Sequence, residues 1–93
     1  MAKFIAVHPV DPPAPFPSEG FEAVVRKCKA GNRLDAYWVR SWLQLNDKGE
    51  ITTVYCEWDG KDVEAVKQVL KSIPELPAKT ISPMAEIHGE NYR

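Results

Sequence analysis

The side chains of this sequence that could bind a metal ion are its two histidines and one glutamate: His8, Glu86 and His88. Imidazole and carboxylate groups hold a metal where several of them converge on one ion at about 2.0–2.3 Å. Glu86 and His88 are two residues apart, so on a strand they point the same way and form a weak site by themselves. His8 ends the first predicted strand and joins such a site only through a second copy of the chain. The alternative is that these are surface residues without a ligand.

A second candidate for chemistry is Arg40, which stands between two tryptophans, Trp38 and Trp42. A guanidinium can stack on aromatic faces and still present its planar fork to an anion. This pattern predicts a pocket for a small carboxylate, phosphate or aromatic ligand. The alternative is an arginine at a sheet edge that pairs with a carboxylate, either within the chain or across a dimer.

The two cysteines, Cys28 and Cys56, form no Cys-x-x-Cys pair and no disulfide framework. A neighbouring cation such as Arg40 favours the thiolate, which is the nucleophilic form of cysteine. No histidine is predicted next to Cys56, however, and Cys28 lies on the apolar stripe of a helix. We therefore interpret both as small core residues, and their free thiols favour a reducing, cytoplasmic location.

The element that positions these side chains is a hairpin. Two β-rich runs, Ala36–Leu45 and Ile51–Trp58, flank the tetrad Asn46–Gly49, which suits a type I turn with Gly49 in the left-handed region. A continuous register from this turn pairs Trp38 with Trp58, Arg40 with Cys56, and Trp42 with Val54. Because side chains alternate between faces, one face is expected to carry Trp38, Arg40, Trp42, Val54, Cys56 and Trp58. With Tyr55 added from the other face, the predicted ligand pocket comprises Trp38, Arg40, Trp42, Tyr55, Cys56 and Trp58.

Two further strands are predicted at the ends of the chain. The apolar run Phe4–Val7 is typical of a central strand covered on both faces. The proline-rich stretch Pro9–Pro17 that follows it predicts an extended loop. The last strand is predicted over Ala78–His88, and the polar tail Gly89–Arg93 is expected to fray.

Two helices are predicted between the strands. Ser18 is the expected N-cap of the first helix, and Gly31 or Asn32 is expected to end it in the left-handed conformation. Asp59 is the expected N-cap of the second helix, which ends at Pro74. Apolar residues at intervals of three and four give each helix one apolar face.

The resulting order, strand-helix-strand-strand-helix-strand, predicts an α+β fold with a single domain over residues 1–93. With right-handed crossovers it gives a ferredoxin-like βαββαβ sandwich, with sheet order 4-1-3-2 and both helices on one face. A hairpin face with Trp38, Trp42 and Trp58 is too apolar to remain in water. We therefore expect a homodimer of the dimeric α/β-barrel type, in which two sheets face each other.

Charge and hydropathy exclude several classes of partner. The net charge is −1 and the pI is about 6.1, so no basic surface is available for nucleic acid or anionic lipid. The apolar run Phe4–Val7 is too short for a signal peptide, and no stretch is long enough to span a membrane. The sequence therefore predicts a cytoplasmic protein without a nucleic-acid or membrane partner.

Three segments carry a resemblance to a known family: the run Trp38-Val39-Arg40-Ser41-Trp42, the run Val54-Tyr55-Cys56-Glu57-Trp58 and the helix within Asp59–Leu70. From about Tyr37 to His88 the chain resembles a family of small bacterial ferredoxin-like proteins of unknown function, also labelled nickel-binding or nickel-responsive-regulator-like. A tryptophan, a serine three residues later and a Tyr-Cys dipeptide recur in that family. The resemblance implies a dimeric ferredoxin-like fold. A histidine often stands in that family where this chain has Arg40, and for this reason the resemblance implies no defined set of nickel ligands.

Two functions follow from these observations. The first is a dimeric protein, not an enzyme, that binds a divalent metal such as nickel through His8, Glu86 and His88. The alternative is a cofactor-free enzyme or ligand carrier that uses the aromatic pocket, with Arg40 as an anion anchor and Tyr55 or Cys56 nearby.

Overall fold

Two helices packed on one face of a four-stranded antiparallel sheet form the protein, in a computed structural model that describes residues 1–92. The strands are β1 (Ala2–Ala14), β2 (Ala36–Leu45), β3 (Ile51–Gly60) and β4 (Thr80–Met84). The helices are α1 (Glu19–Ala30) and α2 (Val63–Leu70), and a short 3-10 helix follows at Gly89–Tyr92. The α+β class and the βαββαβ order are confirmed.

The order of strands in the sheet is β2-β3-β1-β4, with every neighbouring pair antiparallel. Read from the β4 edge, this is 4-1-3-2, the order predicted from the sequence. Among residues 1–92, no helix is long and apolar enough to cross a membrane.

The hairpin turn has the predicted geometry. Gly49 has a φ of +77°, and its N–H donates to the Asn46 carbonyl at 2.9 Å. Asn46 also pairs with Glu50 through a 2.9 Å backbone hydrogen bond. Glycine adopts this left-handed conformation without steric strain, because it has no Cβ.

The predicted register of the hairpin is wrong over most of its length. Trp38 pairs with Trp58 as expected, but the register then shifts by one residue, so that Arg40 pairs with Glu57 and Trp42 with Tyr55. A second shift, between Gln44 and Leu45, restores the predicted pairing at the turn. A β-bulge of this kind moves every following side chain to the opposite face.

Local contacts explain why the shifted register is preferred. The Trp38 N–H donates to Asn32 Oδ1 at 2.9 Å, and this fixes the start of β2 from the loop before it. The continuous register would bury Arg40 and expose Leu43. The bulge instead places Leu43 opposite Val54 in the core and leaves Arg40 beside Glu57. The shifted register therefore avoids burying the Arg40 guanidinium without a partner of opposite charge.

Strand β1 continues through much of the predicted proline-rich loop, to Ala14, which pairs with Ile51. On its other side, β1 pairs with β4 only from Lys3 to Val7. Beyond Val7, no strand within residues 1–92 pairs with that edge of β1. Pro9 points to the same edge as Val7, so its missing N–H group costs no hydrogen bond of the ladder.

The first helix begins as predicted, since the Phe21 N–H donates to Ser18 Oγ at 3.2 Å. It ends differently. Gly31 has a φ of −80° in the right-handed region, and no non-glycine residue among those described has a positive φ. The left-handed cap predicted at Gly31 or Asn32 is therefore wrong, because the Gly31 N–H already satisfies the Lys27 carbonyl at 2.9 Å.

The second helix begins later than predicted. Its N-cap is Asp62, whose carboxylate accepts from the Ala65 N–H at 2.9 Å, and not Asp59. Asp59 remains in β3, because β1 and β2 both pair with that strand as far as Gly60.

The last strand is shorter than predicted. Met84 pairs with Lys3, and only Ala2 of β1 lies beyond that pair, so the two strands end together. Glu86 and His88 therefore follow the strand and do not belong to it. Residues 89–92 of the predicted frayed tail form the 3-10 helix, and Arg93 lies outside the described residues.

The sheet has two unlike faces. We call the helix-packed side the covered face, and it carries Phe4, Ala6, His8, Trp38, Val54, Cys56 and Trp58. We call the other side the open face, and it carries Lys3, Ile5, Arg40, Trp42, Glu57 and Met84. Contrary to the prediction, the three tryptophans do not share a face: Trp58 is fully buried, Trp38 is half-buried and Trp42 is 51% exposed. The aromatic patch from which a dimer was inferred is therefore absent in that form.

Candidate functional site

The residues predicted to form one ligand pocket lie on both faces of the sheet. Trp38, Cys56 and Trp58 belong to the covered face. Arg40 and Trp42 belong to the open face, and Tyr55 is paired with Trp42 and donates its hydroxyl to Gln44 Oε1 at 2.9 Å. The bulge in β2 is the cause, since it separates Arg40 from Cys56.

The open face has a cavity of about 440 Å³, which brings together residues from both predictions. We call it the open-face cavity, and it is lined by Lys3, Ile5, Arg40, Trp42, Glu57, Met84, Ala85, Glu86 and His88. Arg40 and Trp42 came from the predicted ligand pocket, and Glu86 and His88 from the predicted metal site. No pattern in the sequence predicts that these two pairs lie together, because their proximity depends on the bulge and on where β4 ends.

Ion pairs organise the floor of the open-face cavity. The Glu57 carboxylate is 5% exposed, and it pairs with Lys3 and with Arg40, whose Nε is 3.1 Å away. Lys3 also lies 3.1 Å from Glu86 and 3.5 Å from Asp59. The hydrogen bond to Glu57 is the main reason that the pKa of Lys3 is raised, so this lysine stays charged.

The ion pairs of Lys3 and Arg40 also affect Glu86 and Trp42. Lys3 lowers the pKa of Glu86, so that this carboxyl is ionised and ready to accept a cation or a hydrogen bond. The Arg40 guanidinium lies 6.0 Å from the centre of the Trp42 ring, at the outer limit of a cation–π contact. Of the two interpretations of Arg40, the ion pair with a carboxylate is the one that the structure contains, and its partner is Glu57 of the same chain.

Glu86 and His88 form an exposed donor pair at the rim of the open-face cavity. His88 Nε2 and Glu86 Oε2 are 2.9 Å apart, and both side chains are about half exposed or more. Within residues 1–92, no group of three or more His, Cys, Asp or Glu side chains converges in a way that could hold a metal ion. One chain therefore offers two donors, and a complete coordination sphere needs further ligands from outside it.

His8 does not join this pair. It is fully buried on the covered face, opposite Val54, and neither ring nitrogen has a hydrogen-bond partner among the described residues. Burial lowers the pKa of His8, while the nearby backbone of Pro77 and Leu76 acts in the opposite direction. The imidazole is therefore neutral, and it lies on the opposite side of the sheet from Glu86 and His88.

A second space lies between α1 and the covered face. This inner cavity has a volume of about 170 Å³ and is lined by Phe21, Val24, Val25, Cys28, Trp38, Ser41, Leu43, Val54, Cys56 and Leu76. Its polar groups form a short chain, in which Trp38 Nε1 donates to Ser41 Oγ at 2.8 Å and Ser41 Oγ donates to Cys56 Sγ at 3.1 Å. Ser41 was in the recurring Trp-x-x-Ser pattern of the sequence, but only the bulge shows that it faces the interior.

Both cysteines are buried, free and in contact with this inner cavity. Burial raises the pKa of Cys28 to about 11. Burial also raises the pKa of Cys56, against the smaller opposing effect of the Ser41 hydrogen bond. Both thiols are therefore protonated near neutral pH, and the cation expected to activate Cys56, Arg40, is on the other face.

Comparison with known proteins supports the fold and identifies the family. The sequence model of a family described as "nickel responsive protein SCO4226-like" matches residues 4–84. The crystal structure of SCO4226 from Streptomyces coelicolor A3(2) is similar, with a TM-score of 0.71 and 19% identity over 94% of this chain and 100% of that one. At this identity the likeness supports the fold alone. No curated protein matches the chain significantly. Because the family match spans most of its length, the chain belongs to the nickel responsive protein SCO4226-like family.

Proposed function

We propose that this protein is a nickel-binding protein without enzymatic activity, in which Glu86 and His88 supply the metal donors. The observation that carries the proposal is the exposed donor pair itself, with His88 Nε2 2.9 Å from Glu86 Oε2. The description of the family as nickel responsive supports the choice of metal. Imidazole is a suitable ligand for nickel, and an ionised carboxylate supplies negative charge.

The surroundings of Glu86 favour this role. Its two oxygens face different partners, since Oε1 lies 3.1 Å from Lys3 Nζ and Oε2 faces His88. Lys3 is therefore placed to orient the carboxylate while Oε2 remains available to a metal. Partners of this kind, one step away from the ion, hold ligands in position and tune metal affinity.

We propose that a second copy of the chain supplies the remaining metal ligands. Trp42 and Met84 line the open-face cavity and are 51% and 49% exposed, which is a large apolar surface to leave in water. In a twofold dimer that covers the open faces, the same surface meets itself, so each Glu86–His88 pair has a second pair as its counterpart. Such a dimer provides up to four protein donors.

The experiment is a calorimetric titration of the metal-free protein with nickel, together with its melting temperature and its mass in solution. We expect one nickel-dependent transition, a rise in melting temperature, and at least tenfold weaker binding in Glu86→Gln and in His88→Ala. Glu64→Gln is the matched control, because Glu64 is an exposed carboxylate paired with Lys67 on α2. Absence of heat and of any shift in melting temperature for the wild type would refute nickel binding, and a monomeric mass would refute the dimer.

The alternative function, an enzyme or ligand carrier built on Arg40, is not favoured by any contact of this residue. The guanidinium is already paired with the buried Glu57, and the other proposed pocket residues Cys56 and Trp58 are on the covered face. A cytoplasmic location remains a prediction, which the two free cysteines support.

A further inference from the structure

We propose that the inner cavity between α1 and the sheet is a binding site for a small, uncharged aromatic molecule that carries one hydroxyl group. This site lies on the opposite side of the sheet from the Glu86–His88 pair and does not depend on nickel binding. Its volume of about 170 Å³ is the first argument. An apolar protein cavity of about 150 Å³ stays free of water and binds benzene, so this one has room for a single six-membered ring.

The lining determines the charge of the ligand. Within residues 1–92, no Asp, Glu, Lys, Arg or His side chain lines the inner cavity. The two thiols that do, Cys28 and Cys56, are neutral because burial raises their pKa. A charged ligand would lose its hydration without gaining a counter-ion, which is a large free-energy cost. The site therefore selects against carboxylates, phosphates and amines.

One polar group gives the cavity a preferred orientation for its ligand. Ser41 Oγ accepts a hydrogen bond from Trp38 Nε1 and donates one to Cys56 Sγ. A hydroxyl has two acceptor lone pairs, so Ser41 keeps one acceptor position free. Sulfur is also a weak acceptor, and a ligand oxygen in its place would form a stronger bond with the Ser41 hydroxyl. A phenolic hydroxyl, which both donates and accepts, matches either arrangement.

The inner cavity has a neighbouring space through which a ligand can enter. A larger groove of about 650 Å³ lies along the proline-rich part of β1, and Phe21, Val24 and Leu76 line both spaces. Phe21 is half-buried and contacts Phe16 edge to face, with ring centres 6.1 Å apart. A rotation of the Phe21 side chain would join the groove to the inner cavity.

The test uses phenol, benzene and benzoate as probes of the full-length protein, with binding followed by calorimetry and by the NMR signal of the Trp38 indole N–H. We expect phenol and benzene to bind and to shift that signal, and benzoate to bind at least tenfold more weakly than phenol. In Ser41→Ala, the ratio of phenol affinity to benzene affinity should fall about tenfold, because one hydrogen bond is lost. An unchanged ratio would overturn the role of the hydroxyl.

A cavity-filling variant keeps the proposal testable if Ser41→Ala folds poorly. Val25 is half-buried and lines only the inner cavity of the two spaces, so Val25→Phe should fill it and abolish binding of both neutral probes. Leu34→Phe is the matched control, since Leu34 is fully exposed. Binding that survives Val25→Phe, or a wild type that binds neither neutral probe, would overturn the proposal. Glu86→Gln and His88→Ala should bind phenol normally, which separates this site from the proposed nickel site.

Discussion

The covered and open faces belong to the same strands but differ in how their buried polar groups are paired. On the covered face, His8 and Trp58 are fully buried, and their ring nitrogens have no hydrogen-bond partner among the described residues. On the open face, the buried Glu57 carboxylate pairs with two cations, Lys3 and Arg40. The covered face therefore keeps its titratable groups neutral, whereas the open face pairs the Glu57 carboxylate with cations.

This difference decides what chemistry each face can perform. A cation needs charged or strongly polar donors near the surface, and the open face has them at Glu86 and His88. A neutral aromatic molecule needs an apolar space, which the inner cavity of the covered face provides. The comparison between the faces can be tested with single substitutions.

The largest contrast is expected between Trp58 and Trp42. Trp58→Ala removes a fully buried ring and should lower the free energy of unfolding by about 3–5 kcal/mol. Trp42→Ala on the open face should change the stability of one chain by about 0.5 kcal/mol. Urea denaturation of both variants measures the two values. If the open face is a dimer interface, the loss for Trp42→Ala will grow with protein concentration, and equal losses in both variants would contradict the distinction between the faces.

The next contrast concerns the buried carboxylate of the open face. Glu57→Gln keeps the size of the side chain but removes the charge that pairs with Lys3 and Arg40. We expect a loss of about 1–3 kcal/mol in the free energy of unfolding, because a bond to a charged group is replaced by a weaker one. Glu64→Gln breaks an exposed pair with Lys67 and should cost less than about 1 kcal/mol. Similar values for the two would mean that Glu57 is effectively solvated.

Much of the fold, but little of the site, was predictable from the sequence. Ser18 capped its helix and Asn46–Gly49 formed the predicted turn, because each depends on residues adjacent in the chain. The order of elements also followed from local periodicity. The positions that failed, such as the cap at Asp62, depend on how far β3 is paired by strands distant in sequence.

No local sequence pattern predicts that the candidate site residues are divided between the two faces of the sheet. A period of two assigns every residue of β2 to a face only if the strand is regular, and the bulge after Trp38 breaks that condition. The pairs that the bulge creates, Leu43 with Val54 and Arg40 with Glu57, depend on the partner strand β3 and not on β2 alone. For this reason Arg40 and Cys56 were predicted as neighbours and are found on opposite sides.

The pH dependence of stability should report on the covered face. In the folded protein, burial places the pKa of His8 below its ordinary value of 6.5, so the unfolded state binds the proton more readily. Stability is therefore complete above about pH 6.5 and falls as the pH is lowered towards the folded-state pKa, by at most about 1.4 kcal/mol per pH unit.

The measurement compares His88→Gln with the double variant His8→Gln/His88→Gln, so that His8 is the only histidine in the first protein. Unfolding free energies are measured without metal between about pH 7.5 and 5. The slope should be smaller in the double variant. Identical slopes would mean that His8 is not kept neutral by the covered face.

The smallest expected effect comes from the turn that begins the register of both faces. Gly49 has a φ of +77°, where a Cβ is strained although the surrounding space is open, so Gly49→Ala should cost about 1 kcal/mol. Gly20→Ala is the control with the opposite sign, because Gly20 lies in α1 with open space around it and alanine favours helix, by up to about 1 kcal/mol.

Thermal unfolding of both variants, with hydrogen exchange at Trp42 and Leu43, separates a local loss of stability at the turn from a change in the register of β2. Faster exchange at both residues, with the loss of stability, would mean that the turn itself maintains the assignment of β2 to the two faces. Unchanged exchange would instead assign that role to the Asn32–Trp38 contact at the far end of the strand.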